Sequence, residues 1–190
     1  MDRRGFIAGA SAAALCCGGG TASAQRYRLM CSYAGGTTGQ GLLPATRRAI
    51  VELQSIMRAL GYRAPLEIYQ GGVPNAAATV IGGRPVVLYN AGFLNGLARC
   101  HSAAAVTVLA HEVGHHANLD TQWTAQFKHP WSKELGADFV SGVAMRRMGY
   151  SWRDAQSGIN CSFGPFSPGN QSHPDSQRRL RAINDGYSAG

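Results

Sequence analysis

Residues 102–118 read SAAAVTVLAHEVGHHAN and carry the pattern His-Glu-x-x-His at His111, Glu112 and His115. Alanine, valine and leucine dominate the first half of this segment, which predicts a helix. Residues four apart lie on one face of a helix, so His111 and His115 can share one metal ion. Glu112 lies about 100° further round, beside the metal. The pattern is typical of zinc hydrolases, in which two neutral imidazoles bind zinc and the neighbouring carboxylate takes a proton from water.

The other side of this helix is apolar. Its apolar residues recur at spacings of three and four, opposite the two histidines: Val106, Leu109, Ala110 and Val113. This pattern predicts that one face of the helix enters the core while the face with His111 and His115 borders a cleft. The alternative is that two histidines fall four residues apart by chance. The separation of an apolar face from the histidine face favours a metal site over this alternative.

A second long helix is predicted over residues 132–150, with Ser132 as its N-cap and Gly149 at its end. Glu134 and Asp138 lie four residues apart and share a face of this helix. After a His-Glu-x-x-His helix, such a pair predicts Glu134 as the third zinc ligand. Asp138 is then the acceptor for the outer N–H of a ligand histidine. The alternative is a solvated acidic pair on an amphipathic helix.

The other predicted elements follow from periodicity and from glycine and proline positions. They are a helix at 44–60, a strand at 66–69, a hairpin of strands 77–81 and 84–89, a short helix or turn at 91–99, a connection at 119–130, a loop at 151–172 and a last helix that opens at residues 172–175. Pro44 marks the first turn of the first helix, and Gly82-Gly83 the hairpin turn. These elements predict an α+β fold, with the two site helices on a small, mostly antiparallel sheet.

The N-terminal residues 1–24 have the features of a signal peptide. A basic start with Arg3-Arg4 precedes a short apolar run, and Ala22-Ser23-Ala24 forms an A-x-A cleavage site. The paired arginines favour the twin-arginine export route. We therefore expect residues 25–190 to form a single domain in the periplasm or outside the cell. No other stretch is long and apolar enough to cross a bilayer.

Three cysteines follow the predicted cleavage site: Cys31, Cys100 and Cys161. An exported protein can keep a disulfide, and three thiols allow three pairings. Cys100–Cys161 is the favoured pair because both residues flank elements of the predicted site. None of these cysteines has the spacing of a zinc–cysteine site.

The chain is basic, with a formal net charge of +8 that comes nearly all from arginine. A basic balance raises the question of nucleic-acid binding. The basic residues are spread along the chain in ones and twos, however, and no nucleic-acid motif accompanies them. Attraction to anionic envelope surfaces or to acidic substrates explains the charge equally well.

The site residues resemble a known family. His111, Glu112 and His115, together with Glu134 and Asp138, are similar to the gluzincin pattern of zinc peptidases. More narrowly they resemble the CAAX prenyl endopeptidases and heat-shock membrane proteases, a family that has soluble periplasmic members. Three further segments, between about residues 75 and 183, match it: Asn75-Ala76 with Gly82-Gly83-Arg84 and Val86-Val87, Glu134-Leu135-Gly136-Ala137-Asp138, and Ser172-His173-Pro174 with Arg179. The chain lacks the family's membrane helices and has Ala77 where phenylalanine is usual, so prenylated substrates gain no support.

The resemblance implies a zinc endopeptidase that hydrolyses peptide bonds of a peptide or protein substrate. One zinc ion is expected on His111, His115 and Glu134, with Glu112 as general base. His173 or Arg179 is expected to help stabilise the oxyanion. His173 has a rival role as a fourth zinc ligand that shuts the site. The second strand of the hairpin, 84–89, is expected to bind substrate as an added strand.

Two other functions stay open. In the first, zinc only holds the helices of a non-catalytic binding or chaperone module together. Replacing Glu112 by glutamine distinguishes that module from a peptidase, because only the peptidase loses turnover. In the second, the chain is a basic envelope-surface protein with a degenerate site. For the peptidase, protons compete with zinc for imidazole, so activity is expected to fall below about pH 6.

Overall fold

The structure is a computed structural model and describes residues 41–190. The predicted signal peptide at 1–24 and Cys31 lie outside the described residues. Among the described helices, none combines the length and the apolar character that crossing a membrane requires. The described part of the chain folds into six α-helices, one 3-10 helix and four strands, which confirms the predicted α+β class.

The elements follow one another along the chain as two groups, a sheet-rich first half and a helical second half. In order they are β1 (Leu43–Pro44), α1 (Arg47–Leu60), β2 (Glu67–Gln70), β3 (Ala76–Ile81), β4 (Arg84–Tyr89), α2 (Ala91–Cys100), α3 (Ala104–Ala117), the 3-10 helix (Trp123–Phe127), α4 (Pro130–Arg147), α5 (Trp152–Ser162) and α6 (Ser176–Ala189).

The sheet has the strand order β1-β2-β4-β3 and is mixed. β3 and β4 form the predicted antiparallel hairpin, and Gly82 and Gly83 take φ values of 57° and 79° in its turn. β2 pairs parallel to β4, and β1 pairs antiparallel to β2. β4 therefore lies inside the sheet, so the prediction that residues 84–89 accept a substrate strand is wrong. Within the described sheet, β3 is the edge strand on the hairpin side.

α3 is the central helix, and its burial differs from the prediction. Every residue from 104 to 116 is buried, on the histidine face as well as on the apolar face. The predicted cleft-facing side is covered because α4 and α5 pack against α3. Two close contacts mark this packing: a Cβ on Gly114 would meet the Ala137 backbone of α4, and a Cβ on Gly158 of α5 would meet Thr107.

Residues 151–172 do not form one loop as predicted, because residues 152–162 are the helix α5. Ser151 and Asp154 form a capping box at its start, a signal that the glycine and serine content of the segment obscured. Its small residues are not helix breakers here. Ser157 and Gly158 are buried and let α5 approach α3 closely.

Two helix starts also differ from the prediction. α1 begins at Arg47 with Thr46 as its N-cap, while Pro44 belongs to β1. α4 begins at Pro130, whose N-cap is His129 and not Ser132. Proline suits the first helical position because it has no N–H to leave unpaired. The extra turn leaves Glu134 and Asp138 on the same helix, as predicted.

Cys100 and Cys161 form a disulfide with a Cα–Cα distance of 6.1 Å, which confirms the favoured pairing. The bridge joins the last residue of α2 to the C-terminal turn of α5. Disulfides are typical of proteins in oxidising compartments outside the cytosol.

Candidate metal centre

Three buried side chains, His111, His115 and Glu134, converge where α3 and α4 cross. The two Nε2 atoms are 3.1 Å apart. Glu134 lies 3.5 Å from His111 Nε2 through Oε2 and 3.6 Å from His115 Nε2 through Oε1. Ligands at 2.0–2.1 Å in a tetrahedral zinc site are about 3.3 Å from one another. The three distances lie close to this value, so the side chains fit one zinc ion.

The rings of His111 and His115 approach each other through their Nε2 atoms, an arrangement that favours a cation between them. Nδ1 of His111 lies 2.8 Å from Asp138, and Nδ1 of His115 lies 3.1 Å from Asp120. When each Nδ1 donates to its carboxylate, the two Nε2 lone pairs point at one another. Such a contact is favourable only with a proton or a metal ion between the nitrogens.

Unsatisfied carboxylate oxygens give the same indication. Among the described residues, both oxygens of Glu112 and Oε2 of Glu134 are buried without a hydrogen-bond partner. Buried carboxylates are costly unless they are paired or coordinate a metal ion. Two imidazoles and one carboxylate are a donor set that suits a zinc ion.

The charges around His111 bias the metal-free site toward binding a proton. Burial lowers the pKa of His111, but Asp138 and Glu134 outweigh it and raise the pKa to about 9. The same contacts act on the acids. Burial raises the pKa of Glu134, yet His111, His115 and Arg179 bring it well below its usual range. The buried carboxylates of the site therefore favour a bound positive charge, which a divalent ion can supply.

Asp138 and Arg179 form a charged pair that contacts His111 at Nδ1. Asp138 Oδ1 accepts from His111 Nδ1, the position predicted for the acceptor of a ligand's outer N–H. Arg179 on α6 binds Asp138 bidentately, with Nε 2.7 Å from Oδ2 and Nη2 2.9 Å from Oδ1. Arg179 is 2 % exposed, and its Nη2 also lies 3.5 Å from Glu134 Oε2.

Glu112 lies on α3 between the two histidines and is fully buried. Burial raises the pKa of its carboxyl, while His111 and His115 act in the opposite direction. The backbone of Ala78 in β3 also lowers the pKa, so the carboxyl lies between the histidines and the edge strand of the hairpin. A carboxylate that is poorly stabilised as an anion is a better proton acceptor.

His173 also reaches the site. Its side chain is 20 % exposed, and its Nε2 lies 3.8 Å from Glu134 Oε2. Nδ1 is 2.8 Å from the hydroxyl of Ser172, and burial lowers the pKa of the ring. The segment before α6 is tied down by Asn170, whose side chain accepts from the His173 amide and whose carbonyl accepts from Trp131 Nε1. His173 thus contacts Glu134 at the rim, whereas the described side chains close enough to share one ion are His111, His115 and Glu134.

Sequence reasoning missed Asp120 and Lys128. Asp120 follows α3 in a segment predicted only as a connection, yet its side chain is 1 % exposed and contacts His115. Lys128 Nζ binds Asp120 Oδ1 at 2.7 Å. The available signal was an aspartate five residues after the second histidine, but its use depends on the path of the chain after the helix.

Comparison of the chain with protein-family models, with curated proteins and with solved structures finds no match. The likeness to the gluzincin pattern therefore stays a likeness of residues and spacing. The buried triad of His111, His115 and Glu134 fits a zincin-like site on its own geometry. The function that this site supports has to be argued from its chemistry.

Proposed function

We propose that the chain is an exported zinc-dependent endopeptidase. The observation that carries this proposal is the buried triad of His111, His115 and Glu134 with the unpaired carboxylate of Glu112 beside it. A structural zinc site needs four protein ligands and no acid–base residue. Three ligands plus an adjacent carboxylate are what hydrolysis by an activated water requires.

The chain's own residues divide the work as follows. His111, His115 and Glu134 hold the ion, which when bound supplies a Lewis acid that makes water a nucleophile near neutral pH. Glu112 accepts the proton of that water and passes it to the leaving amine. Its oxygens are buried and contact no side-chain hydrogen-bond donor among the described residues, which leaves the carboxylate available to that water.

Two further residues assist in different ways. Arg179 acts through Asp138: its bidentate pair fixes the carboxylate that orients His111. His173 lies at the rim of the site, where an N–H can stabilise the oxyanion of a substrate carbonyl. Asp138 and Arg179 are thus positioning residues, while His173 is the group that meets the substrate.

The substrate is a peptide or a protein. The first four residues of β3, Ala76 to Thr79, are buried, so this strand is not open to an added substrate strand. Export follows from the signal-like residues 1–24 and agrees with the disulfide between Cys100 and Cys161.

The test combines metal content and turnover. Wild type, Glu112→Gln and Glu134→Ala are purified without added metal and analysed for zinc, and cleavage of an unfolded, fluorescently labelled protein is measured. We expect about one zinc per chain in wild type and in Glu112→Gln, and a large loss in Glu134→Ala. Turnover should fall by at least ~100-fold in Glu112→Gln, the scale of a lost general base.

The second function is a non-catalytic module in which zinc only joins the helices. The observation that favours it is enclosure: His111, His115 and Glu112 are at most 1 % exposed. For this module Glu112→Gln changes neither zinc content nor any activity. Zinc in wild type without cleavage of the labelled protein would favour it over the peptidase.

A further inference from the structure

We propose that Asp120 and Lys128 are a positioning pair for His115, equivalent to the pair that Asp138 and Arg179 form for His111. The inference rests on the proposed metal site and deepens it. It assigns a role to the segment between α3 and α4, which would otherwise be interpreted only as a connection between two helices. The pair should set the metal affinity of the site.

The chain turns sharply after α3 in order to bring Asp120 back. Leu119 has φ 59°, and among the described residues it is the one non-glycine residue with a positive φ. That conformation is unfavourable for a residue with a Cβ. Leu119 is 58 % exposed, so its side chain gains little from burial there. The strain is offset by what the turn accomplishes at Asp120.

Asp120 contacts His115 through both its backbone amide and its side chain. Its amide donates to the His115 carbonyl at 2.8 Å, and its Oδ2 lies 3.1 Å from His115 Nδ1. The carboxylate accepts the outer N–H of the ring and so turns the Nε2 lone pair toward Glu134 and His111. With 1 % of its surface exposed, this carboxylate needs a countercharge.

Lys128 provides the countercharge and closes the segment. Its Nζ lies 2.7 Å from Asp120 Oδ1 and 2.8 Å from the carbonyl of Asn118 at the end of α3. One ammonium group thus joins the last carbonyl of the ligand helix to the carboxylate that orients the ligand. The side chain of Lys128 is 44 % exposed, so its charge remains partly solvated.

The next residue holds the segment in register independently. The Thr121 hydroxyl lies 3.2 Å from His116 Nδ1, and His116 Nε2 lies 3.1 Å from the carbonyl of Val86 in β4. His116 is buried, and its ring links the segment to the sheet. Consecutive residues of the segment therefore contact consecutive histidines of α3, which excludes a chance approach of one aspartate.

The experiment measures zinc binding to the full mature chain by competition with a chromophoric chelator. The variants are Asp120→Ala, Asp120→Asn and Lys128→Met, and the matched control is Asp185→Ala, an exposed acid on α6. Loss of a ligand's outer partner lowers metal affinity by about 10–100-fold. We expect this loss in Asp120→Ala, a smaller one in Asp120→Asn and Lys128→Met, and none in Asp185→Ala.

A second readout separates orientation of the ligand from simple folding. The visible spectrum of the Co²⁺-loaded chain reports ligand geometry, and it should change in Asp120→Ala but not in Asp185→Ala. If Asp120→Ala does not fold, Asp120→Asn carries the test, because the amide is the same size but lacks the negative charge that makes the imidazole a stronger ligand. Thermal unfolding of the chelator-treated chains shows which variants are folded.

The outcomes distinguish the two proposals. Zinc affinity and a Co²⁺ spectrum that equal wild type in both Asp120 variants would overturn the positioning role and leave the metal site intact. A wild-type chain that binds no zinc would overturn the metal site and with it this inference. Graded losses across Asp120→Ala, Asp120→Asn and Lys128→Met support the inference.

Discussion

Each histidine of the centre has its own carboxylate and its own cation. His111 contacts Asp138, which Arg179 binds, and His115 contacts Asp120, which Lys128 binds. Both imidazoles are thus held in one tautomer with Nε2 turned inward. A ring without such a partner would rotate or take the other tautomer. The inward orientation of both nitrogens is the property on which metal binding depends.

The metal-free chain should lose stability in mildly alkaline solution. Folding raises the pKa of His111 from 6.5 to about 9, so the protonated ring stabilises the fold fully below pH 6.5. That stabilisation is lost as the pH rises through about 9. Chemical denaturation of the chelator-treated chain between pH 6.5 and 9 should show a falling free energy of unfolding. Zinc-loaded chain should lack this fall, because the ion has already displaced the proton.

A variant without the titrating ring is the control for this prediction. His111→Gln should show a much flatter dependence of the free energy of unfolding between pH 6.5 and 9. If the metal-free wild type is equally flat, or if His111→Gln keeps the full slope, the charge assigned to His111 is wrong.

At the scale of elements, the centre depends on how closely α3 and α4 approach. Gly114 lies between the ligands His111 and His115 on α3. A Cβ at this position would lie 2.8 Å from the carbonyl oxygen and 2.9 Å from the Cα of Ala137 on α4. Ala137 is between the ligand Glu134 and Asp138 along the helix. The absence of a side chain at Gly114 therefore allows the third ligand to reach the histidine pair.

Gly114→Ala should separate these helices. We expect a loss of about 1–3 kcal/mol in the free energy of unfolding, as overpacking typically costs, and a lower zinc affinity. The matched control is Gly96→Ala on α2, where a Cβ would meet nothing within 4 Å. That change should be neutral or stabilising by up to ~1 kcal/mol, because alanine favours helix. Unchanged zinc affinity and stability in Gly114→Ala would contradict the close approach.

Glycines also allow α6 to pack closely against α4. A Cβ on Gly142 would meet the backbone of Ile183, and a Cβ on Gly186 would meet the backbone of Phe139. Backbones in such contact fix the position of α6 along α4. Arg179 at the start of α6 is thereby held against Asp138, although it lies 41 residues further along the chain.

At the scale of the whole molecule, the disulfide closes a loop of the chain that contains the residues of the candidate metal centre. Cys100 and Cys161 are 61 residues apart, and all three ligands lie between them. Cross-linking a loop of this length removes conformational entropy from the unfolded chain, by an estimate of about 4 kcal/mol. The bridge also ties α5 to α2 across the central helix. It stabilises the fold without contacting the ligands.

Replacing Cys100 and Cys161 together by alanine should lower the free energy of unfolding by about 4 kcal/mol. Urea denaturation of oxidised and reduced chain measures this directly, and the reduced wild type should match the variant. Cys31→Ala is the control, because it leaves the bridge in place. A variant that unfolds at the same urea concentration as wild type would show that the bridge contributes little. Zinc content of the folded variant should remain that of wild type.

Much of the centre could be predicted because its parts are local. The spacings within His111, Glu112 and His115, and between Glu134 and Asp138, need only a helix to become a shared face. The hairpin follows from Gly82-Gly83, which take positive φ readily. Asp120 could not be predicted, because its use depends on the positive φ of Leu119, a conformation that leucine rarely adopts.

Local sequence patterns were enough to predict which side chains share a helix face, where the hairpin turns and that a helix with a third candidate ligand follows. These are properties of 3.6-residue and two-residue periodicity and of single glycines. The packing of the folded chain was needed to show that β4 lies inside the sheet, that α5 covers α3, and that His111 and His115 each contact a carboxylate paired with a cation. Such contacts join residues distant along the chain. Their geometry depends on backbone packing at small residues and on one strained turn, which no local pattern encodes.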